Sequence, residues 1–123
     1  MIVADTDVLI DYLNGQGQSD EVTALLRVGA LWTTVVSRFE LLNGARTAKQ
    51  QKRVSDLLDA VPALVMDSAC ADAASGIRRT LEESGNAIGM ADSMIAGIVA
   101  SNGGALLTRN RKHFERIAGL RLA

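Results

Sequence analysis

The chain has 123 residues, of which 48% are hydrophobic, 22% charged and 3% aromatic, and its formal net charge is -1. This length predicts one domain spanning residues 1–123, with an aliphatic core. The scarcity of aromatic side chains argues against a single-strand binder built on stacked rings, and the net charge alone gives no reason to expect a nucleic-acid partner.

Cysteine usage and hydropathy narrow the class of protein further. Cys70 is the only cysteine, which excludes an intramolecular disulfide and a thiolate zinc cluster and favours a reducing compartment. The N-terminus lacks the basic and apolar stretches of a signal peptide, and no apolar run approaches the ~20 residues of a membrane span. A cytoplasmic protein without a membrane partner is therefore expected.

The first half of the chain alternates strands with helices. Residues 2–4 form an apolar run that predicts a buried strand, and residues 6–13 carry apolar side chains at helical spacing up to the Asn14-Gly15 break. The elements predicted next are a helix over 20–28, a β-branched strand over 31–36 and a helix starting at Ser37 and ending near Arg46.

The second half repeats this alternation. The predicted elements are a helix over 48–60 ended by Pro62, a strand over 63–66, a helix over 68–84, a helix over 89–102, a strand over 105–108, a short helix over 112–117 and a strand over 120–122. Short strands that are apolar on both faces, alternating with helices, predict a parallel sheet covered by helices. In such folds ligands bind beyond the carboxyl ends of the strands, so the residues that follow each strand are candidate site residues.

Three acidic residues lie at strand ends or helix starts. Asp5 follows the first strand and also suits the cap of the next helix. Glu40 completes a Ser-x-x-Glu pattern with Ser37, which is equally a capping box. Asp92 lies at the edge of the apolar arc of its helix, where it needs a partner or a metal, although the positive end of the helix also favours it.

Taken together, the three carboxylates predict a metal site. Convergent carboxylates repel one another unless a cation neutralises them, and oxygen ligands without His or Cys suit Mg²⁺ or Mn²⁺. The chemistry expected there is metal-assisted attack of water on a phosphodiester, with Glu40 as the first candidate for the base.

The two ends of the chain differ in charge. Residues 1–21 contain five acidic residues and no Lys or Arg, whereas residues 109–123 contain five Lys or Arg and one Glu. If the fold joins the two ends, an acidic cavity lies beside a basic edge. The candidate RNA-phosphate contacts, for which a solvated face is an equal alternative, are Arg109, Arg111, Lys112 and Arg116.

Four segments, in this order, resemble PIN domains over nearly the whole chain. They are Asp5-Thr6-Asp7-Val8-Leu9-Ile10-Asp11, Val36-Ser37-Arg38-Phe39-Glu40-Leu41, Ala91-Asp92-Ser93-Met94-Ile95-Ala96 and Leu107-Thr108-Arg109-Asn110. Among PIN domains the chain looks most like the VapC-type toxins of bacterial type II toxin–antitoxin pairs.

The resemblance implies a three-layer α/β/α sandwich with a parallel sheet of four or five strands. It implies a Mg²⁺- or Mn²⁺-dependent endoribonuclease acting on structured RNA, usually tRNA or ribosomal RNA. By motif match, Asp5 and Asp92 would hold the metal and Glu40 would be the third acid. It further implies a homodimer and a VapB-like antitoxin that blocks the site.

One position departs from the pattern. Many PIN domains carry a fourth acid just after the last central strand, where this chain has Asn110, which adds no charge but can orient water or cap a helix. We include Asn110 among the predicted catalytic residues, and expect the nearby His113 to be solvated or to face phosphate.

Three alternatives stay open at this stage. The first is a PIN-like module that binds RNA or protein without catalysis, and the second is a PIN nuclease that processes RNA as a housekeeping enzyme. The third is a phosphate-accepting receiver domain, in which Asp67 would mimic the acceptor. Arg109 is not the Lys that a receiver requires, and Glu40 and Asp92 would go unexplained.

Some apolar residues are candidates for a partner surface. Any aliphatic side chains on the helices over 20–28 and 48–60 that one small core does not take up would form an exposed patch for a dimer or an antitoxin, although the sequence does not show which of them stay exposed. Met66, Met90 and Met94 are expected in the core instead.

Overall fold

The computed structural model describes residues 1–123 and contains a five-stranded parallel sheet with strand order β3-β2-β1-β4-β5. The strands are β1 (Ile2–Ala4), β2 (Leu31–Thr34), β3 (Ala63–Leu64), β4 (Ala105–Leu107) and β5 (Arg121–Leu122). In register, Ile2 of β1 lies opposite Leu31 on one side and Ala105 on the other.

Seven helices connect and cover the strands. They are α1 (Thr6–Leu13), α2 (Ser19–Arg27), α3 (Val35–Gly44), α4 (Ala48–Ala60), α5 (Ser68–Glu83), α6 (Met90–Ser101) and α7 (Arg111–Phe114). None of them combines the length and the apolar character that crossing a membrane requires.

Side chains on each strand point alternately to the two faces of the sheet, which produces two hydrophobic clusters. Ala4 and Leu107 pack with α1, α2, α3 and α4 on one face. Val3 and Leu106 pack with α5, α6 and α7 on the other. The α/β/α sandwich with five parallel strands is therefore confirmed.

The strand order places a topological switch between β1 and β4. The chain runs outward from β1 to β2 and β3, and then returns to build β4 and β5 on the other side of β1. Connections at a switch point diverge to opposite faces, which opens a crevice beyond the carboxyl ends of the two central strands. Asp5 and Thr108, which follow β1 and β4, lie at that edge.

The second strand ends two residues earlier than predicted. β2 stops at Thr34 and α3 begins at Val35. The Thr34 hydroxyl caps this helix by accepting the Ser37 N–H at 3.2 Å, so the cap overrides the β propensity of Val35 and Val36. Likewise, β3 ends at Leu64 rather than 66, at the edge of the sheet.

The exposed apolar side chains are spread over several elements, and one of them, Val28 at 75% exposed, lies in the segment predicted as a helix over 20–28. On α2 and α4, Val22, Val54, Leu57 and Leu58 are buried in the core. The other exposed apolar side chains include Ile10 of α1, Phe39 and Leu42 of α3, and Val65, which directly follows β3.

The prediction that Met90 belongs to the core is wrong. This side chain is 63% exposed, because it is the first residue of α6 and projects beyond the packed part of the helix. Met66 and Met94 are half-buried.

Candidate functional site

Asp5 is a buried carboxylate that serves as a helix cap. It follows β1 directly, is 4% exposed, and accepts the Val8 N–H at 3.0 Å as the N-cap of α1. Its own N–H donates to the Leu107 carbonyl of β4 at 3.1 Å, and the Thr108 hydroxyl donates to its carboxylate. The capping role predicted for Asp5 is confirmed, and the same contacts fix its carboxylate at the switch point.

Glu40 is held by a hydroxyl network and not by a capping box. Thr34, not Ser37, caps α3, so the capping-box interpretation of Ser37 and Glu40 is wrong. The Thr6 hydroxyl donates to Glu40 Oε1 at 2.6 Å and lies 2.9 Å from the Ser37 hydroxyl. Since the single Thr6 proton goes to Glu40, the buried Ser37 hydroxyl donates to Thr6. The start of α1 thus orients the carboxylate of α3.

Asp92 lies in the first turn of α6. The N-cap residue of this helix is Gly89, which has no side chain to cap it. Burial raises the pKa of Asp92 above its ordinary value, and the charges of Glu40 and Asp7 raise it further, while His113 lowers it. These charge interactions place Asp92 in the same electrostatic neighbourhood as the acids that follow β1.

Asp5 belongs to the same neighbourhood. Its burial is the largest cause that raises its pKa, and the charges of Asp7 and Asp92 act in the same direction. The hydrogen bonds from Thr108 and Val8 oppose this rise without reversing it. Asp5, Asp7, Glu40 and Asp92 therefore form one cluster, in which the charges of neighbouring acids help to raise the pKa of Asp5 and of Asp92.

The donor chemistry of this cluster fits a hard divalent cation. Every candidate ligand is a carboxylate oxygen, as Mg²⁺ and Mn²⁺ prefer. No group of three His, Cys, Asp or Glu side chains is arranged to hold a metal directly. Mg²⁺ usually takes only one or two carboxylates from the protein and keeps several of its waters.

Asp7 is a member of the cluster that the sequence did not single out. Asn110 Nδ2 donates to Asp7 Oδ2 at 3.1 Å, across 103 positions of sequence. The Asp-Thr-Asp spacing at 5–7 was a possible signal, because it puts two acids at the start of one helix. Nothing local indicates that Asn110 would reach the second of them.

The acidic N-terminal and basic C-terminal segments do meet. Arg109 NH1 donates to both carboxylate oxygens of Asp11, at 2.9 and 3.0 Å, and Arg109 NH2 lies 3.7 Å from Asp7 Oδ2. Asp11 is 8% exposed, so the pair is anchored on its acidic side. The guanidinium of Arg109 stands at the border of the acidic cluster.

The other three basic candidates differ in their contacts. Arg111 NH1 donates to the Ala123 carbonyl at 2.7 Å, and Arg116 NH1 donates to Asn86 Oδ1 at 2.7 Å. Lys112 is exposed and makes no hydrogen bond or ion pair. Their role in RNA binding stays a prediction.

Asp67 has a structural role that removes the basis of the receiver alternative. It is the N-cap of α5 and accepts the Cys70 N–H at 2.9 Å, which lowers its pKa. It follows the edge strand β3, which β2 and β1 separate from β4, whereas the acids that interact with one another gather around β1.

A groove of about 250 Å³ opens beside Glu40, between α1, α3 and α4. Apolar side chains, among them Ile10, Leu13, Leu41 and Val54, form much of its lining. The groove therefore joins one acid of the cluster, Glu40, to the exposed Ile10 of α1.

Asp5→Asn is expected to stabilise the metal-free protein at pH 7. Asn remains a good N-cap and carries no charge to desolvate. Because the folded-state pKa of Asp5 is raised, its ionisation opposes folding above that pKa, and this cost disappears as the pH falls toward the ordinary value of 3.8. Each kcal/mol gained should raise Tm by roughly 2–8 °C.

The measurement is thermal unfolding in EDTA at pH 7 and at pH 4. The advantage of Asp5→Asn over wild type should shrink at the lower pH. A wild-type protein that is the more stable of the two at pH 7 would contradict this account of Asp5.

Comparison with known sequences and structures agrees with this architecture. The PIN domain family model matches residues 2–120. The tRNA(fMet)-specific endonuclease VapC of Shigella flexneri is 30% identical over 121 residues, covering 95% of this chain and 92% of that protein. Ribonuclease VapC10 of Mycobacterium tuberculosis is 33% identical over 122 residues, covering 98% of this chain and 91% of that protein.

A solved structure matches the whole fold. In the crystal structure of VapBC2 from Rickettsia felis bound to a DNA fragment from their promoter, one chain superposes with a TM-score of 0.88 at 23% identity, covering 100% of this chain and 98% of that chain. Since the family model and the relatives span nearly the whole sequence, the chain belongs to the PIN domain family, among its VapC-type ribonucleases.

Proposed function

We propose that residues 1–123 form a single PIN-like nuclease domain that cleaves RNA phosphodiester bonds with a divalent cation, as the toxin of a toxin–antitoxin pair. The observation that carries this proposal is the cluster of Asp5, Asp7, Glu40 and Asp92 at the switch point, in which burial and mutual charge raise the pKa of Asp5 and Asp92. Such a cluster is costly without a cation.

In this proposal Asp5 and Asp92 hold Mg²⁺ or Mn²⁺. When bound, the cation would lower the pKa of the attacking water and stabilise charge on the phosphate. Glu40 accepts the proton of that water: Thr6 occupies its Oε1, and no protein donor contacts Oε2. Asn110 contributes by holding Asp7.

The substrate is RNA, with tRNA favoured by the name of the Shigella relative and ribosomal RNA as the other target class. Lys112 and Arg109 are the basic side chains placed to contact its phosphates, the first because it is free and the second because Asp11 holds it at the border of the cluster. A cytoplasmic location follows from an RNA substrate and agrees with the single buried thiol of Cys70.

The protein partner is a VapB-like antitoxin. The groove between α1, α3 and α4 supports this assignment, because its lining includes Glu40 together with the apolar Ile10, Leu41 and Val54, so an apolar segment lying there would reach Glu40. A homodimer is proposed from the family resemblance alone.

The test is incubation of the purified chain with total cellular RNA in EDTA, Mg²⁺ or Mn²⁺. Discrete products that require the cation are expected. A folded chain that cuts nothing with any cation would overturn the nuclease, and RNA retention by that chain would then favour the silent binding module. If the chain cuts RNA, growth arrest relieved by a neighbouring antitoxin gene separates a toxin from a housekeeping nuclease.

Thr6→Val is expected to slow cleavage by about 10- to 100-fold while leaving the affinity for Mn²⁺ unchanged. Valine has the shape of threonine but cannot donate a hydrogen bond to Glu40, so the Glu40 carboxylate loses its orientation. The expected loss of rate is a fraction of the ~10²–10⁴-fold acceleration that a positioned base contributes. The measurements are single-turnover cleavage rates and Mn²⁺ titration calorimetry.

Thr6→Ser is the matched control, since it keeps the hydroxyl and should cleave near the wild-type rate. A Thr6→Val variant as fast as Thr6→Ser would show that the hydrogen bond to Glu40 does not serve the reaction.

A further inference from the structure

Asp7 has contacts that ordinary helix-start and ion-pair roles do not explain. It lies in the first turn of α1, where any acid is favoured, yet its Oδ2 also accepts the Asn110 amide at 3.1 Å. Arg109 pairs mainly with Asp11, which its NH1 holds at 2.9 and 3.0 Å, and its NH2 lies farther from Asp7 Oδ2, at 3.7 Å. The charge of Asp7 acts on both Asp5 and Asp92.

Asn110 is fixed in place to make this bond. Its N–H donates to Thr108 Oγ1 at 3.0 Å, and the Thr108 hydroxyl in turn contacts Asp5. Although Asn110 precedes α7, its side chain makes no capping hydrogen bond. The capping role considered for Asn110 is therefore wrong, and its amide is committed to Asp7.

We propose that Asp7 is a further acid that supports the cation site from beside the direct ligands, and that Asn110 is the residue that positions it. This assignment rests on the proposed function, because it concerns the same cation. In this chain the amide stands at position 110 and the carboxylate at position 7, one hydrogen bond away. In this assignment Asp7 acts by its charge and its hydrogen bonding around the cation, and not as a direct ligand.

The carboxylate and the amide can be swapped between positions 7 and 110 by mutation. In the double variant Asp7→Asn/Asn110→Asp, the amide at position 7 donates to the carboxylate at position 110, so the hydrogen bond and the net charge are both kept. The single variant Asp7→Asn removes the charge alone. Asp72→Asn, on the exposed surface of α5, is the control for loss of one negative charge elsewhere.

The experiment is calorimetric titration of each metal-free protein with MnCl₂, with thermal unfolding recorded with and without Mn²⁺. Asp7→Asn should bind Mn²⁺ about 10- to 100-fold more weakly, the usual effect of losing a residue that supports the metal ligands. The double variant should recover most of that affinity, and Asp72→Asn should match wild type. The gain in Tm caused by Mn²⁺ should follow the same ranking.

The outcomes separate this assignment from the proposed nuclease. The role of Asp7 would be overturned if Asp7→Asn bound Mn²⁺ as tightly as the wild type, even if the wild type cuts RNA. The same conclusion would follow if the folded double variant bound Mn²⁺ no more tightly than the single variant. If the Mn²⁺ affinities follow this ranking but the wild type cuts no RNA, the proposed nuclease activity is overturned and the assignment of Asp7 remains. If the wild type binds no Mn²⁺, both fail.

Discussion

Asp92→Asn should reduce cation-dependent RNA cleavage by about 10³-fold or more. The cation contributes several kcal/mol of charge stabilisation in such reactions, and about 4 kcal/mol corresponds to roughly a 10³-fold change in rate. Asn is isosteric with Asp, and the α6 helix depends on no hydrogen bond from this side chain. Because its pKa is raised by burial and by Glu40, Asp92 costs the metal-free fold stability, so its loss should not unfold the protein.

The measurement is single-turnover cleavage of a defined tRNA at saturating Mg²⁺, alongside thermal unfolding. Asp72→Asn removes one negative charge from the first half of α5. Cys70 and Ala74 in this half pack against Gly97, which lies in the second half of α6, away from Asp92. It should cleave like the wild type. Equal rates for Asp92→Asn and Asp72→Asn would rule out Asp92 as part of the cation site.

The second large effect concerns stability: Gly97→Ala should lower the free energy of unfolding by about 1–3 kcal/mol. A methyl group at position 97 would lie 2.7 Å from both the Ala74 nitrogen and the Cys70 carbonyl oxygen. These are backbone atoms of α5, so rotating a side chain cannot relieve the clash and the two helices must separate. Because α6 carries Asp92 in its first turn, the spacing between α5 and α6 also supports the site.

Gly76→Ala is the matched control, since it is the same substitution inside the neighbouring helix. A methyl group there would meet nothing within 4 Å, so only the helix propensity changes. This variant should gain about 0.5–1 kcal/mol. Urea unfolding of the two variants should therefore shift in opposite directions, and a Gly97→Ala variant as stable as Gly76→Ala would contradict the close packing of α5 on α6.

Much of the architecture was readable from the sequence because it depends on local patterns. Short apolar runs gave the strands, and apolar side chains at helical spacing gave the helices. Parallel strands that alternate with helices share a carboxyl edge, so Asp5 was predictable as a site residue without knowledge of the strand order. The errors were also local: the β-branched Val35 and Val36 read as strand, although the Thr34 cap starts a helix there.

Only the tertiary structure decided the contacts between residues that lie far apart in the sequence. The strand order, which sets β4 beside β1, brings Asn110 to Asp7 across 103 positions, and the packing of α1 on α3 brings Thr6 to Glu40 across 34. Periodicity and capping report only on neighbours within a few residues, so neither pairing leaves a local signal. The sequence by itself determined the fold class and singled out Asp5, Glu40 and Asp92 as candidates; Asp7 became recognisable as a member of their cluster only when the fold placed Asn110 against it.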